Sequence, residues 1–242
     1  MSTLPAVVQR YFDSVLPEGQ PMIRAARLKQ KGTFLRSESS WEPFEAREVF
    51  ITDPVSFEWD ARIRMAPLVA AHVRDGYFNG HGSTIASVLG FVRLFNERNR
   101  AEIDSAALQR YVAEAVWFPT ALLPSETVRW SSLDPSRALA TVTDARTTVS
   151  VEFTFAPTGE ITEVFTHRYR LEHGEWEETP WGAFCERYEN YAGIRIPTKC
   201  DVYWKIDDQV LPYWIGEVTG VEYDFDETRP VFRSPSRLPR AA

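Results

Sequence analysis

Cysteine is scarce in this sequence, with two residues, Cys185 and Cys200, among 242. Two cysteines are too few for a disulfide framework, and they lack the C-x-x-C spacing of a zinc site. They allow one disulfide at most, and the sequence leaves open whether they pair. Since disulfides belong mainly to oxidising compartments, we expect a cytoplasmic protein with free thiols.

Long apolar runs are also lacking. No stretch reaches the ~18 to 20 residues that a membrane-spanning helix needs. The first residues show no charged segment followed by an apolar run and a small-residue cleavage site. We therefore expect no integral membrane segment and no export.

Positive charge is in deficit, because the formal net charge is -7. A general nucleic-acid binder needs a basic face, so we expect no nucleic-acid partner. The exception is the last segment, 229–242, in which arginines alternate with proline and serine. We expect residues 1–228 to form a single domain and 229–242 a disordered tail.

Signatures of catalysis and cofactor binding are missing as well. The four histidines do not form an H-E-x-x-H or similar ligand spacing. Neither a G-x-S-x-G elbow nor a glycine-rich phosphate loop is present. We expect no metal and no cofactor.

Aromatic residues, by contrast, are abundant, at 13% of the chain. Many of them follow residue 116: Trp117, Phe118, Trp130, Trp181, Phe184, Tyr188, Tyr191, Tyr203, Trp204, Tyr213 and Trp214. A sheet that closes over a helix needs large side chains in its core. A concave aromatic pocket is also the usual small-molecule site. Both interpretations stay open.

Two segments have the apolar spacing of amphipathic helices. The first runs from Leu4 to Leu16 and the second from Ile103 to Trp117. Asp104 or Ser105 is the expected N-cap of the second helix.

Most of the remaining chain alternates between apolar and polar residues, which is typical of strands. The alternation runs from Ile23 to about Leu94 and again from Glu126 to Tyr223. Too few residues separate the strands for helical crossovers, so the sheet is antiparallel. About ten strands in one sheet must curl. We predict a mainly β, α+β fold: a large curved sheet, an open or half barrel, with both helices on its concave side.

One hairpin has a predictable register. The expected cross-strand pairs are Phe155–Ile161, Val151–Phe165 and Val149–His167. In this register the apolar residues of both strands lie on the same face of the hairpin. A shift of one residue would place Thr and Arg side chains opposite the valines. The residues predicted to point inward are Ile161, Glu163, Phe165, His167, Tyr169 and Leu171.

Several motifs resemble a bacterial protein family known only as a domain of unknown function. They include Gly80-His-Gly82, the run Trp117-Phe-Pro-Thr-Ala-Leu-Leu-Pro124 and Val128-Arg-Trp130. The resemblance extends over almost the whole chain up to Tyr223. The layout that it implies is similar to the lipoprotein localisation factors, which shelter acyl chains in a half-open β-barrel. Those carriers are exported proteins, whereas we expect this chain to be cytoplasmic.

The leading hypothesis is a carrier or sensor that binds a hydrophobic or amphipathic small molecule between the sheet and the second helix. The candidate ligand-binding residues are Trp117, Phe118, Trp130, His167, Tyr169 and Trp204. A second hypothesis is an enzyme in which His167 and Glu114 act as acid and base at a common cavity. A third is a protein-interaction module with an exposed apolar patch. The sequence does not predict an oligomeric state.

Overall fold

The computed structural model describes residues 4–37, 40–66, 69–88, 92–98, 100–228 and 232. Two α-helices are present in these ranges, α1 (Ala6–Val15) and α2 (Ala101–Glu114), with short 3-10 helices at Ala115–Trp117 and Pro119–Leu122. The strands before α2 are β1 (Met22–Ser37), β2 (Ser40–Thr52), β3 (Val55–Ala66), β4 (Val69–Phe78), β5 (His81–Val88) and β6 (Val92–Arg98). Those after it are β7 (Val128–Ser132), β8 (Arg137–Asp144), β9 (Thr147–Phe155), β10 (Ile161–Glu172), β11 (Glu175–Tyr191), β12 (Ile194–Ile206) and β13 (Gln209–Asp226).

All these strands belong to one antiparallel sheet of 13 strands, in the order β6-β5-β4-β3-β2-β1-β13-β12-β11-β10-β9-β8-β7. The chain forms one meander from β1 to the β6 edge, and α2 then carries it to the opposite edge at β7. A second meander returns to β13, which pairs with β1. The predicted mainly β, antiparallel fold is confirmed. The strand number exceeds the prediction partly because the segment Thr84–Phe95 divides into β5 and β6.

The sheet curves around α2. This helix packs against β5 near one edge and against β9 and β10 near the other. Gln109 on α2 donates from Nε2 to the backbone oxygen of His167 on β10 at 2.6 Å. The Tyr77 hydroxyl on β4 donates to Asp144 on β8 at 2.8 Å, across the space between the two halves of the sheet. Within the described residues β6 and β7 remain unpaired edges, so the barrel is open.

Helix α1 covers another part of the inner face through one buried side, as its apolar spacing predicts. The buried residues are Val7, Val8, Tyr11, Phe12 and Val15. The Phe232 ring lies 6.4 Å from that of Phe12, and its backbone N–H donates to Gln20 at 2.7 Å. Phe232, placed by the sequence in a disordered tail, is therefore packed on the body. The rest of 229–242 lies outside the described residues.

The start of α2 differs from the prediction. The helix begins at Ala101 with Arg100 at its N-cap, so neither Asp104 nor Ser105 is the capping residue. The Asp104 carboxylate instead accepts a hydrogen bond from the backbone N–H of Gly82 at 2.7 Å. Aspartate is a common N-cap residue, but here its carboxylate binds the backbone of a neighbouring strand. Residue type alone does not distinguish these two roles, which explains the error.

The aromatic run that follows α2 ties the end of the helix to distant strands. Trp117 donates from Nε1 to the backbone oxygen of Pro197 on β12 at 3.0 Å, and the Tyr223 hydroxyl on β13 donates to the Trp117 backbone oxygen at 2.6 Å. Thr120 accepts the backbone N–H of Ile23 at 2.9 Å. These contacts hold α2 over the inner face, where the candidate site lies.

Candidate functional site

A cavity of about 300 Å³ lies between α2 and the inner face of the sheet. Seven aromatic side chains line it: Phe34, Trp59, Trp117, Trp181, Trp204, Tyr213 and Trp214. The smaller apolar and thiol residues of the wall are Val73, Ala113, Val116, Val164, Ala183, Cys185, Cys200 and Val202. The polar residues are Asp75, Thr84, Arg110, Glu114 and Arg168. The cavity thus has an extensive apolar wall and a small cluster of charged groups.

Of the six predicted ligand-binding residues, the structure brings Trp117 and Trp204 to this cavity. Phe118 lies in the core, stacked on Phe50 with ring centroids 4.4 Å apart. Trp130 is also buried outside the cavity lining, and its Nε1 donates to the backbone oxygen of Leu122 at 2.8 Å.

His167 and Tyr169 lie on the outer face of the sheet, so their predicted inward orientation is wrong. Ile161 pairs with Phe155 as expected, but a β-bulge follows and Glu163 pairs with Thr154. A bulge adds one residue to a strand and so reverses the faces of every residue after it.

The backbone at the bulge has a specific partner. The Tyr188 hydroxyl accepts the N–H of Ile161 and donates to its C=O, both at 3.0 Å. After the bulge Val164 and Thr166 are buried, whereas His167 is exposed. Arg168, predicted to face outward, lines the cavity.

This geometry removes the predicted acid–base pair. Glu114 lines the cavity on the inner side, and His167 projects from the opposite face of β10. Two groups on opposite faces of a sheet cannot act on one substrate at a common cavity. The proposed approach of His167 to Glu114 is therefore wrong.

Arg110 on α2 organises the charged end of the cavity. Its guanidinium donates to Glu48 at 2.8 Å, to Asp75 at 2.7 Å and to Glu114 at 2.8 Å. It also lies 5.1 Å from the centre of the Trp59 ring, within cation–π range. Each nitrogen of this guanidinium thus donates to a different acidic side chain, which fixes the residue and compensates its charge.

Glu48 is completely buried next to this arginine. Gln30 donates from Nε2 to Glu48 at 2.8 Å, and Gln30 in turn accepts the Trp59 Nε1–H at 2.8 Å. Burial, followed by the charge of Glu114, raises the pKa of Glu48 well above its ordinary value. Burial likewise raises the pKa of Glu114. Neighbouring buried carboxyl groups favour retention of a proton, which reduces the negative charge of the cluster.

Arg168 has a different environment from Arg110. Its guanidinium lies 5.1 Å from the centre of the Trp181 ring, and its Nε donates to the backbone oxygen of Ala106 at 3.0 Å. Burial is the main cause that lowers the pKa of Arg168, and the charge of Arg110 acts in the same direction. A cation held in this way can attract an anionic group into the cavity.

The two cysteines also meet at the cavity wall. Cys185 on β11 and Cys200 on β12 are directly opposite each other, with their sulfur atoms 3.8 Å apart. Both are free thiols in the structure. The hydrogen bond with Cys185 and then burial raise the pKa of the Cys200 thiol well above its ordinary value, so it is a poor nucleophile.

A larger depression, of about 760 Å³, lies elsewhere and has a different character. Its lining includes the exposed side chains of Lys31, Arg62 and Arg64. These residues occupy the outer face of the sheet, as the alternation of charged residues in β3 indicates. Side chains that are charged and exposed to solvent do not form the mainly apolar lining that a small-molecule site usually has.

Comparison with known proteins shows the family of the chain. A family model described as "Family of unknown function (DUF6920)" matches residues 2–223. The protein therefore belongs to this family, and the resemblance to a family of unknown function is confirmed. No curated protein matches the chain.

A solved structure of the LolA superfamily protein NE2245 from Nitrosomonas europaea is similar over 91% of this chain and 94% of its own. The sequences are 10% identical and the TM-score is 0.39. A similarity of this level carries no argument about ligand or function. No helix in the described ranges is long and apolar enough to cross a membrane.

Proposed function

We propose that the protein binds a hydrophobic or amphipathic small molecule in the cavity beneath α2, as a carrier or sensor. One observation carries this proposal: five of the eight tryptophans of the chain line a single cavity. Indole rings offer a large apolar surface to a ligand. The N–H groups of Trp59, Trp117 and Trp181 are bound within the protein, which holds these rings in place.

The size of the cavity fits this class of ligand. A volume of about 300 Å³ is at the lower end of the range for small-molecule sites. It equals that of roughly ten molecules of liquid water, and so accommodates on the order of ten non-hydrogen atoms. Half-buried Phe34, Trp204 and Tyr213 give the wall a solvent-accessible part through which a longer chain can extend.

Tryptophan fluorescence tests the proposal. Delipidated protein is titrated with bromine-labelled and unlabelled fatty acids of equal length, since bromine quenches an indole only at short range. We expect saturable quenching by the labelled acid and a smaller response to the unlabelled one. Trp181→Phe should reduce the quenched fraction because this indole lines the cavity, whereas Trp41→Phe removes an exposed indole outside it and should increase that fraction.

Two results would contradict ligand binding in this cavity. If no member of a panel of fatty acids, alcohols and lysolipids binds more tightly than about 1 mM, which is roughly 4 kcal/mol of binding free energy, the proposal fails. Equal loss of quenching in Trp41→Phe and Trp181→Phe would place binding outside the cavity.

We also propose a cytoplasmic location, which is supported by the scarcity of cysteine. Fractionation of cells that express the full-length protein tests it. Recovery with soluble cytoplasmic markers is expected, and recovery with exported proteins would contradict it.

A further inference from the structure

The two arginines of the cavity differ in how their charges are compensated. Arg110 holds three carboxylates. For Arg168, in contrast, no carboxylate lies within ion-pair distance among the residues that the structure describes. The acidic residues of the cavity lining, Glu114 and Asp75, each pair with Arg110 through one oxygen. Their second oxygens are buried and have no hydrogen-bond partner among the described residues.

The guanidinium of Arg168 is held in place from two sides. Its Nε donates to Ala106 on α2, and its plane lies near the Trp181 ring. Trp181 is itself fixed by the hydrogen bond from its Nε1 to the Tyr213 hydroxyl at 3.0 Å. A guanidinium has five N–H donors, so about four remain on the two terminal nitrogens. Across the described part of the chain these have no acceptor.

Burial has the largest influence on the charge of Arg168. Burial and the charge of Arg110 lower the pKa of Arg168, although Tyr213, Asp75 and Glu114 act in the opposite direction. The loss of hydration on burial therefore outweighs the attraction of the nearby acidic groups. An anion in direct contact with the guanidinium would replace the hydration that this cation has lost.

We propose that Arg168 binds the anionic head group of an amphiphile, whose apolar chain lies along the indoles of the cavity. Two terminal N–H groups of a guanidinium match two oxygens of a carboxylate or a phosphate in parallel hydrogen bonds. The inference rests on the proposed function and narrows it, from amphipathic molecules in general to those with an oxyanion at one end.

Arg170 provides a matched comparison on the same strand. It lies two residues along β10, with its guanidinium 5.9 Å from the Trp204 ring. Its Nη1 is paired with Glu172 at 2.8 Å, and its Nε donates to Thr179 at 3.2 Å. Because Arg170 already has an acidic partner, it is not expected to select an anion.

The experiment compares ligands that differ only in the head group. Decanoate, decyl phosphate and 1-decanol are titrated below their micellar concentrations into wild type, Arg168→Gln, Arg168→Lys and Arg170→Gln. Circular dichroism and thermal melting verify that each variant is folded. Decanoate and decyl phosphate distinguish a carboxylate site from a phosphate site.

We expect wild type to bind at least one anionic probe roughly ten- to a hundred-fold more tightly than decanol, as for hydrogen bonds to a charged group. Arg168→Gln should lose that preference and retain decanol binding. Arg168→Lys should retain part of it, and Arg170→Gln should retain all of it.

Two failures are distinguishable. The head-group inference is overturned, while the proposed function stands, if all three probes bind wild type equally. It is also overturned if Arg168→Gln keeps the anion preference of wild type. If none of the probes binds to wild type, the proposed function itself fails. If Arg168→Gln does not fold, Arg168→Lys becomes the decisive variant. The inference then requires that Arg168→Lys lose part of the anion preference, and a preference equal to that of wild type overturns it.

Discussion

At the scale of single residues, the buried Glu48 carboxyl has the environment with the clearest consequence. It has no exposed surface and lies between Gln30 and Arg110. Its raised pKa means that, above pH 4.5 and up to the folded-state pKa, the folded protein retains a proton that the unfolded chain releases. Stability therefore decreases as the pH rises through this window, by at most about 1.4 kcal/mol per pH unit for one proton.

Glu48→Gln tests this assignment. Glutamine has no proton to release, so the decrease in the free energy of unfolding as the pH rises above 4.5 should be smaller than in wild type. The lost acceptor for Gln30 lowers stability by a similar amount at every pH, so the slope is the informative quantity. Urea unfolding at several pH values measures it.

The control for this prediction is Glu58→Gln, which changes an exposed glutamate of β3. Its slope should match that of wild type. A Glu48→Gln slope as steep as that of wild type would show that Glu48 is ionised in the folded protein.

Residue identity alone did not reveal the polar end of the cavity. Arg110 and Glu114 are separated by four residues on a helix, a spacing that predicts their ion pair. Glu48, Asp75 and Arg168 come from three strands that are far apart in sequence. Only the curvature of the sheet brings them together, and no local pattern encodes that.

At the scale of secondary structure elements, helix α2 packs closely against strand β5. A Cβ atom at Gly82 would lie 2.4 Å from the backbone oxygen of Ile103 and 2.9 Å from the Ala107 Cβ. Helix and strand therefore approach more closely than any other residue type allows. The hydrogen bond from Gly82 N–H to Asp104 depends on the same approach.

Gly82→Ala should therefore reduce the free energy of unfolding by about 1–3 kcal/mol, the usual cost of overpacking. Gly220→Ala is the matched control, because a Cβ atom there meets only the Lys29 side chain at 3.8 Å. Its effect should be within about 0.5 kcal/mol of wild type. Chemical denaturation compares the two, and equal stability of both variants would contradict the close packing of α2 on β5.

The side-chain orientations predicted for β10 are correct only up to its β-bulge. Alternation of apolar residues correctly placed the strand and its first pair, Phe155–Ile161. It could not show that Tyr188, on the next strand, hydrogen-bonds the backbone of Ile161. The added residue reverses the faces of the strand, so Arg168 rather than His167 lies at the inner face. The residue of β10 at the cavity is therefore an arginine and not the predicted histidine.

At the scale of the whole molecule, the overall architecture could be predicted from the sequence. Alternation without intervening helices predicted an antiparallel sheet, and its length predicted curvature around a central helix. The hydrogen bond between Tyr77 and Asp144 and the position of α2 agree with that fold. The number of strands and the contacts between the two halves of the sheet could not be predicted, because those contacts join parts of the chain that are far apart in sequence.

The central claim is that an amphiphile occupies the cavity beneath α2. A crystal structure of the protein soaked with 10-bromodecanoate tests it most directly, because anomalous scattering locates the bromine. We expect the bromine among the cavity indoles and the carboxylate within hydrogen-bond distance of Arg168. Bromine on the outer face of the sheet, or an empty cavity at saturating ligand, would contradict the claim.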